Sequence, residues 1–596
     1  VRPQMQYANK SFSQIKEQLQ SYIKRTYPST YQDFNKSSFG SMMLDLVSYL
    51  GDQLHFYIEY AANEANPATA NEPGNLNALL DEVETEQSAY TEAQYMVLLP
   101  ANASGTGIDP NYDNCVIPTG IIAKSTGGNE YENVRAVPIS SADSNTEILG
   151  HILSADGSKI DWWMAKTTAT MRSGIIKEYT CTVGPAVKNR TIMIPDTSII
   201  EVIKAVSSEG DTWHKVKHLS EKIKFESIPD PNNSDSVKIK PKPIPRRFVE
   251  KKGRDGNTYI TFGNGSEMEG SDVSKFDPSP SILKKAGYKH DSSTHLDLYE
   301  IAASDSLGIA PNNTTLTITY RANTSLNPNA AVGTITQLVN PEIKFKNEHL
   351  LDQEKIEYIK QNMQVINNQP VNGKITIPNT QEIRKRYLGK YSIQNRAVTL
   401  QDYIYAIYQM PSTFGSVKRA AAIKDKNDLR RNINIYLIGE SASGHLEKCS
   451  TAVKQNVKTH LDEMRMISDS IDLFDAYIIN LGLEINIVIK PDVSPQSFQA
   501  ALKRKIHQEF VQVPADIGEC FYISKVLGIL QNMPEVIRVP PKNGVKVKNL
   551  VGGNYSTYSH DILGNQHVDD SYIFIPKNCI WEIKYIDDII VNVGIK

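Results

Sequence analysis

The stretch QNRAVTLQDYIYAIYQMPSTFGSVKRAAA, Gln394 to Ala422, decides how the rest of the chain is read. It predicts a capped short helix stopped by a proline, then a turn, then a strand. Thr399 is a suitable N-cap and Asp402 stands three residues on, so the hydroxyl takes an orphan amide while the carboxylate sits at the positive helix end. Tyr403, Ile404, Ile407 and Tyr408 share one apolar stripe at helical spacing. Pro411 cannot continue the helix, Gly415 supplies the turn, and Val417 opens a segment leading to a strand over 432–438. Residues of these types pack; none is catalytic equipment.

Beyond it the chain alternates. A helix is predicted over 447–464, capped by Ser443, with Val453, Val457 and Leu461 four apart. The strand over 481–489 strictly alternates Leu481, Leu483, Ile485, Ile487 and Ile489 with other residues. Ser494 and Pro495 open a helix with Phe498, Leu502, Ile506 and Phe510 on one side. A helix over 524–531 and a strand over 535–539 complete an α+β domain, and Pro540-Pro541 breaks the chain before a β-like tail. Upstream, helical patterns over 350–363 and 381–388 lead into the opening stretch.

Earlier still, from Gln94, short apolar runs are punctuated by Pro100, Pro118, Gly120, Gly127 and Gly128, the pattern of a sheet built from hairpins. The Asp255-Gly256 turn between 246–250 and 258–262 is the clearest hairpin signal. Leu316, Ile318 and Tyr320 alternate with threonines, as a half-buried strand does. At the N-terminus an amphipathic helix over 11–25 precedes a longer one over 38–62 and a short one over 75–83. The long helix carries Met42, Met43, Leu46, Val47, Leu50, Leu54, Tyr57 and Ile58 on a wide apolar face. Such a face belongs either to an ordinary bundle within the chain or to a helix that docks other subunits.

The fold class is therefore multidomain α+β: an N-terminal helical segment, a β-rich middle, an α/β two-layer C-terminal domain and a β-like tail. The expected divisions are 1–93, a helical docking region; 94–345, β-rich; 346–394, a helical connector; 395–540, an α+β domain; and 541–596, the tail. The length of 596 residues exceeds what one core serves. A net charge of -3 sets up no global field toward nucleic acid or an anionic membrane. The 5 cysteines are far apart, odd in number and without a CxxC pair, which argues against a disulfide framework and against zinc. No apolar run reaches the length of a membrane helix and no signal peptide opens the chain. The first residue is Val1, so a few residues are expected to be missing or removed before it.

Other candidates carry little chemistry. The basic run Lys238 to Arg254 suits phosphate contact, but its prolines and lack of an aromatic ladder favour an extended connector. His290, Asp291, His295 and Asp297 are metal-ligand types at a spacing that matches no zinc motif. Gly439 to Gly444 lacks the second glycine of a nucleophile elbow, and Phe262 to Gly265 lacks the lysine of a phosphate-binding loop. Asp587 and Asp588 are paired acids in a tail. No catalytic, cofactor-binding or metal residue is assigned, and no cofactor is expected.

Four separated features resemble the baseplate J-like family, most closely its large baseplate wedge proteins from contractile-tailed phages. They are Phe39-Gly40-Ser41 leading into Leu44, Asp45, Leu46 and Tyr49; Ile117-Pro118-Thr119-Gly120; Tyr259 to Gly265; and Arg384 to Ala420, with Asn395 to Thr399 and Asp402-Tyr403. They span nearly the whole chain. One departure is the insertion-like segment over 271–304.

The resemblance implies a non-enzymatic structural subunit of the virion tail baseplate, assembled in the host cytoplasm. Its N-terminal helices would join those of other wedge subunits in a bundle, presenting the eight residues above. Its C-terminal part would dimerise through Tyr403, Ile407, Tyr408 and Phe414 and link wedges into a ring around the tail tube that passes the contraction signal to the sheath. The implied partners are a second copy, other wedge subunits and tail-sheath-initiating proteins, with no nucleic acid and no membrane. The half from 346 onward is expected to fold and self-associate on its own. The competing reading is a host-surface glycan-binding tail adhesin, which should show repeats, a trimeric stalk or a groove of carboxylates and aromatics.

Overall fold

The computed structural model describes residues 12–29, 35, 38–66, 69–72, 75, 86–154, 156–230, 233–253, 256–265, 307–376, 380–394, 396–425, 431–512, 515–540 and 544–595. The chain divides into two compact units, Val1–Glu84 with Pro378–Leu388, and Thr85–Ile377 with Gly389–Lys596. Among the described residues the helices are α1 Phe12–Thr26, α2 Phe39–Glu64, α3 Gln353–Gln361, α4 Thr380–Ile393, α5 Leu400–Tyr408, α6 Thr451–Asp462, α7 Pro495–Gln512 and α8 Ile523–Gln531. The short helix expected over 75–83 lies outside the described residues but for Asn75, and the His290 to Asp297 cluster lies outside them altogether.

In the larger unit, strand Tyr90–Pro100 pairs antiparallel with Ile160–Ser173 from Tyr90↔Arg172 to Pro100↔Trp162. Around this pair the sheet runs Ile335–Leu338, Ile122–Ser125, Glu130–Asn133, Ile160–Ser173, Tyr90–Pro100, Gln364–Asn367. Fully buried Asn367 joins the two end strands. Its Oδ1 accepts from Ile335 N at 2.9 Å, and its Nδ2 donates to Ala331 O at 2.9 Å and Gln369 O at 2.7 Å. One side chain thereby substitutes for a missing ladder rung and brings the sheet near to a barrel. Tyr95, Val97, Leu99, Ile117, Tyr131 and Met171 fill its interior.

A second sheet packs Phe248, Ile260, Phe262, Leu316, Ile318 and Trp213. The predicted hairpin is present, with Arg247–Lys252 antiparallel to Thr258–Phe262 and Gly256 at φ 79°. The threonine alternation holds up to Ile318 and then ends, because Thr319, Tyr320 and Arg321 are all buried. Arg321 pairs with Glu132 at 2.6 Å and Arg172 with Glu201 at 2.7 Å, tying this sheet to the barrel with charges that burial shields from solvent.

The opening stretch folds as predicted. Thr399 and Asp402 form a reciprocal capping box on α5: Thr399 Oγ1 accepts from Asp402 N at 3.2 Å, and Asp402 Oδ2 accepts from Thr399 N at 2.8 Å. Pro411 follows the helix, Gly415 turns the chain at φ 88°, and strand Arg419–Lys424 pairs antiparallel with Arg431–Glu440. Helix α6 then returns the chain so that Asp469–Asp475 lies parallel to Arg431–Glu440, as a crossover requires. The cap of α6 is Ser450, whose side chain accepts from Val453 N, and not Ser443, which sits in the preceding turn against Ser441. A polar turn next to a serine hides which serine stands at the first helical residue.

Strand Tyr477–Ile489 is the axis of the last sheet. Val545–Leu550 and Val536–Arg538 flank it antiparallel, and Cys579–Glu582 and Ile589–Ile595 pair with it parallel. Leu481, Leu483, Ile485, Ile487 and Ile489 are buried there with Phe498, Leu502, Ile506 and Phe510 of α7. The residues after Pro541 thus complete this sheet and are no separate tail. Nor does the half from 346 stand apart: Ser450 Oγ donates to Tyr90 O at 2.9 Å, Asn372 Nδ2 to Lys448 O at 2.6 Å, and Asn329 Nδ2 to Glu440 O at 2.9 Å. The boundaries expected at 345, 394 and 540 fall inside one unit because main-chain pairing and buried amides cross them all.

Candidate interaction surface

The smaller unit is a helical hairpin whose inner face is made of small residues. Ser38 caps α2 by accepting from Ser41 N at 3.1 Å, and Ser41, Leu44 and Ser48 are its buried residues toward that end. Gly51 continues the same row: a Cβ there would stand 3.4 Å from Ile15 of α1. Lys16 meets Asp45 at 2.5 Å. At the far end Glu64 anchors the chain reversal, accepting from Asn71 N at 2.8 Å, Glu72 N at 3.2 Å and Asn75 Nδ2 at 3.1 Å. Burial opposes its ionisation, but these hydrogen bonds and nearby Arg384 outweigh burial and hold its carboxyl below the ordinary value.

With the small face turned to α1, the large apolar side chains point outward. Met42, Met43, Leu46, Val47, Leu50, Leu54, Tyr57 and Ile58 are all exposed, from 42% for Met43 to 63% for Tyr57. So are Phe39, Tyr49, Phe56 and Tyr60, which the sequence reading did not place on the face. Phe56 and Tyr60 stack at 6.3 Å, which fixes part of this surface. The signal for the second group was legible, since Phe39, Met42, Leu46, Tyr49, Phe56 and Tyr60 repeat at three, four or seven residues. A continuous row of exposed apolar side chains is the kind of patch that contact surfaces carry.

The four residues assigned to a C-terminal contact are not a surface. Tyr403 and Ile407 are buried in the core between α5, α6 and the strand Arg431–Glu440. The Tyr403 hydroxyl donates to Asp469 Oδ2 at 2.8 Å, and burial followed by that hydrogen bond pushes its phenol above the ordinary range. Half-buried Tyr408 accepts from Ala420 N at 3.0 Å through its hydroxyl. Phe414 alone is exposed, at 45%. A helical stripe shows that a face is covered, not by whom, and here the chain's own sheet covers it.

Several described residues of the remaining candidates are held by the fold itself. Arg247 is buried and donates to Ile244 O at 2.8 Å, and Lys252 donates to Ile199 O at 2.6 Å, with burial lowering the pKa of both. These two basic residues are spent on carbonyls and are not open to phosphates. Asn264 of the glycine turn accepts from Leu307 N at 3.1 Å, and Glu440 holds Lys418 at 2.8 Å. Asp588 accepts from Tyr555 at 2.6 Å, which together with burial pushes that phenol up to about 12. Among the described residues no cluster of His, Cys, Asp and Glu suited to a metal occurs, and no helix is long and apolar enough to cross a membrane.

The family model of the bacteriophage baseplate protein N-terminal domain matches residues 11–81. The match contains the whole exposed row of α2 and supports a baseplate protein. No curated protein matches the chain. Among solved structures, a chain of the anti-feeding prophage (AFP) baseplate is 9% identical, with 97% of this chain and 99% of that chain covered at a TM-score of 0.28. A chain of the type VI secretion system TssK-TssF-TssG baseplate subcomplex is 9% identical, with 74% of this chain and 95% of that chain covered at a TM-score of 0.24. Neither superposition is close enough to carry a shared fold.

Proposed function

We propose that this chain is a structural subunit of a contractile-tail baseplate wedge, joined to neighbouring subunits through α1 and α2. The single observation that carries the reading is the exposed apolar row of α2, lying inside the segment that matches the baseplate N-terminal domain. Twelve large apolar side chains of α2 stand exposed. At about half of a typical large side-chain area each, they present on the order of 1,000 Å², comparable to the roughly 800 Å² per partner of a standard interface. In this reading the larger unit, with its crossing sheets and buried ion pairs, is the rigid body that links wedges into a ring around the tail tube. It would pass rotation at the helical joint outward to the sheath.

The test is Leu50→Asp in the full-length chain. Leu50 is 53% exposed, so the aspartate leaves the monomer folded and acts only where a partner covers it. A buried unpaired carboxylate costs several kcal/mol, enough to remove a micromolar contact. The variant is expected to purify as a folded chain and to be absent from assembled baseplates. Normal incorporation of Leu50→Asp overturns the docking reading.

A further inference from the structure

Resting on that reading, we infer that the strand Thr146–Leu153 of the larger unit receives an extended arm of a neighbouring subunit, which adds to the sheet as one more strand. The strand pairs antiparallel with Ile160–Ser173, from Thr146↔Thr167 to Leu153↔Ile160, and among the described residues no strand lies on its other side. At its two ends Thr146 N donates to Asp143 O at 3.1 Å and Ser154 N to Lys159 O at 2.8 Å. Between them, among the described residues, nothing bonds the outward main-chain groups. A row of such groups is a template for another strand.

Other edges of the molecule are blunted. Val545–Leu550 presents exposed Lys546 and Lys548, Thr191–Ile194 is only 4 residues long, and Ile589–Ile595 is met by Gln499, whose Nε2 donates to Val591 O at 2.9 Å. Thr146–Leu153 has none of these devices. Its one acid, Glu147, is spent on Lys166 at 2.6 Å, and Ile148, Leu149, Ile152 and Leu153 stand exposed, from 40% for Ile152 to 51% for Leu153. Irregularities at Leu149 and, on the paired strand, at Asp161 bend the hairpin but put no charge on this edge. Ile148 lies across from Ala165, and Ile152 and Leu153 across from Trp162 and Ile160, so both faces of the hairpin carry apolar side chains.

These features fix the occupant. Only an extended segment satisfies a row of main-chain donors and acceptors, and apolar groups on both faces call for a partner run that is apolar on both faces too. The edge offers on the order of a few hundred Å² of apolar surface, well short of the roughly 800 Å² per partner of a free-standing complex. It is therefore too small to hold two free copies of this chain together. It suits an arm whose parent subunit is already held nearby, where a high effective concentration makes a weak contact permanent.

The experiment is hydrogen–deuterium exchange over 146–153 in the free full-length chain and in assembled baseplates that contain it, with photo-crosslinking from Leu149→p-benzoylphenylalanine in the same particles. The outward amides are expected to exchange at least about tenfold more slowly in the baseplate, with adducts on a segment of a different subunit. Equal exchange in both states overturns the inference and leaves baseplate membership, tested through Leu50→Asp, untouched. Slow exchange with adducts on 146–153 of a second copy overturns the choice of occupant. Ile152→Lys places a charge on this edge at an exposed position, so baseplates carrying it should exchange over 146–153 as fast as the free chain. Protection equal to that of the parent in this variant also overturns strand pairing.

Discussion

Gly415→Ala tests the turn on which the opening stretch depends. Gly415 has φ 88° and ψ -175°, a conformation that is essentially restricted to glycine. Forcing alanine into it costs about 1–3 kcal/mol. The new methyl also lands 3.0 Å from Ser88 O and 3.4 Å from Gly373 Cα. Neither neighbour can give way. Ser88 N donates to Ser412 O at 3.0 Å and Ser416 N to Gly373 O at 2.6 Å, so the segments on both sides are pinned to the turn itself. This overpacking adds about 1 kcal/mol, against which alanine recovers about 0.4–1 kcal/mol by restricting the unfolded chain.

The net loss is about 2 kcal/mol, a shift of roughly 30-fold in the folded ratio. Gly333→Ala is the matched control, since Gly333 has φ 74° but nothing within 4 Å of the added methyl. It should cost about 1 kcal/mol or less. Urea unfolding followed by tryptophan fluorescence reads both, because Trp162, Trp163, Trp213 and Trp581 all belong to the larger unit. A Gly415→Ala midpoint equal to or above that of Gly333→Ala would refute the reasoning.

Three further outcomes are expected. Tyr403→Phe removes the donor to buried Asp469 and should cost about 1.5–3 kcal/mol in the same urea assay, whereas an exposed tyrosine such as Tyr477 should tolerate the change within about 0.5 kcal/mol. Asn367→Leu leaves buried Ile335 N without its acceptor, while Ala331 O and Gln369 O keep Thr334 Oγ1 and Thr91 Oγ1, and should cost about 1–3 kcal/mol, with early amide exchange at Ile335. Glu64 is held below its ordinary value, so its contribution is complete above the unfolded carboxyl pKa and is lost as pH falls through the lower folded pKa. Helical circular dichroism of the full chain during acid titration should therefore show a shallower acid loss in Glu64→Gln than in the parent.

Local chemistry was legible wherever the code is local. The capping box at Thr399 and Asp402, the Ser494-Pro495 helix start and the Leu481 to Ile489 alternation need no tertiary information, and all are present. What the pattern could not show was which face meets what. The stripe of α5 and the row of α2 have the same period, yet one is covered by the chain's own strands and the other is open. The difference lies in the opposite face: α2 turns Ser41, Ser48 and Gly51 toward α1, which frees its large residues. Small-residue rows therefore mark the intrachain side of a helix as usefully as apolar rows mark a buried side. The barrel closure was not legible, because it rests on the Asn367 side chain and a few main-chain bonds, such as Gly333 N to Asn367 O at 2.9 Å, that leave no local pattern. The Pro540-Pro541 break looked like a domain end for a similar reason: parallel pairing of Ile589–Ile595 with Tyr477–Ile489 leaves no local trace.

The central claim is that α2 is an assembly helix. Electron cryomicroscopy of the native particle containing this chain tests it most directly, at a resolution that traces side chains around Leu50 and Phe56. The expected map shows a ring at the end of the tail in which both residues are enclosed by helices of other subunits. A map in which α2 faces solvent along its whole length contradicts it.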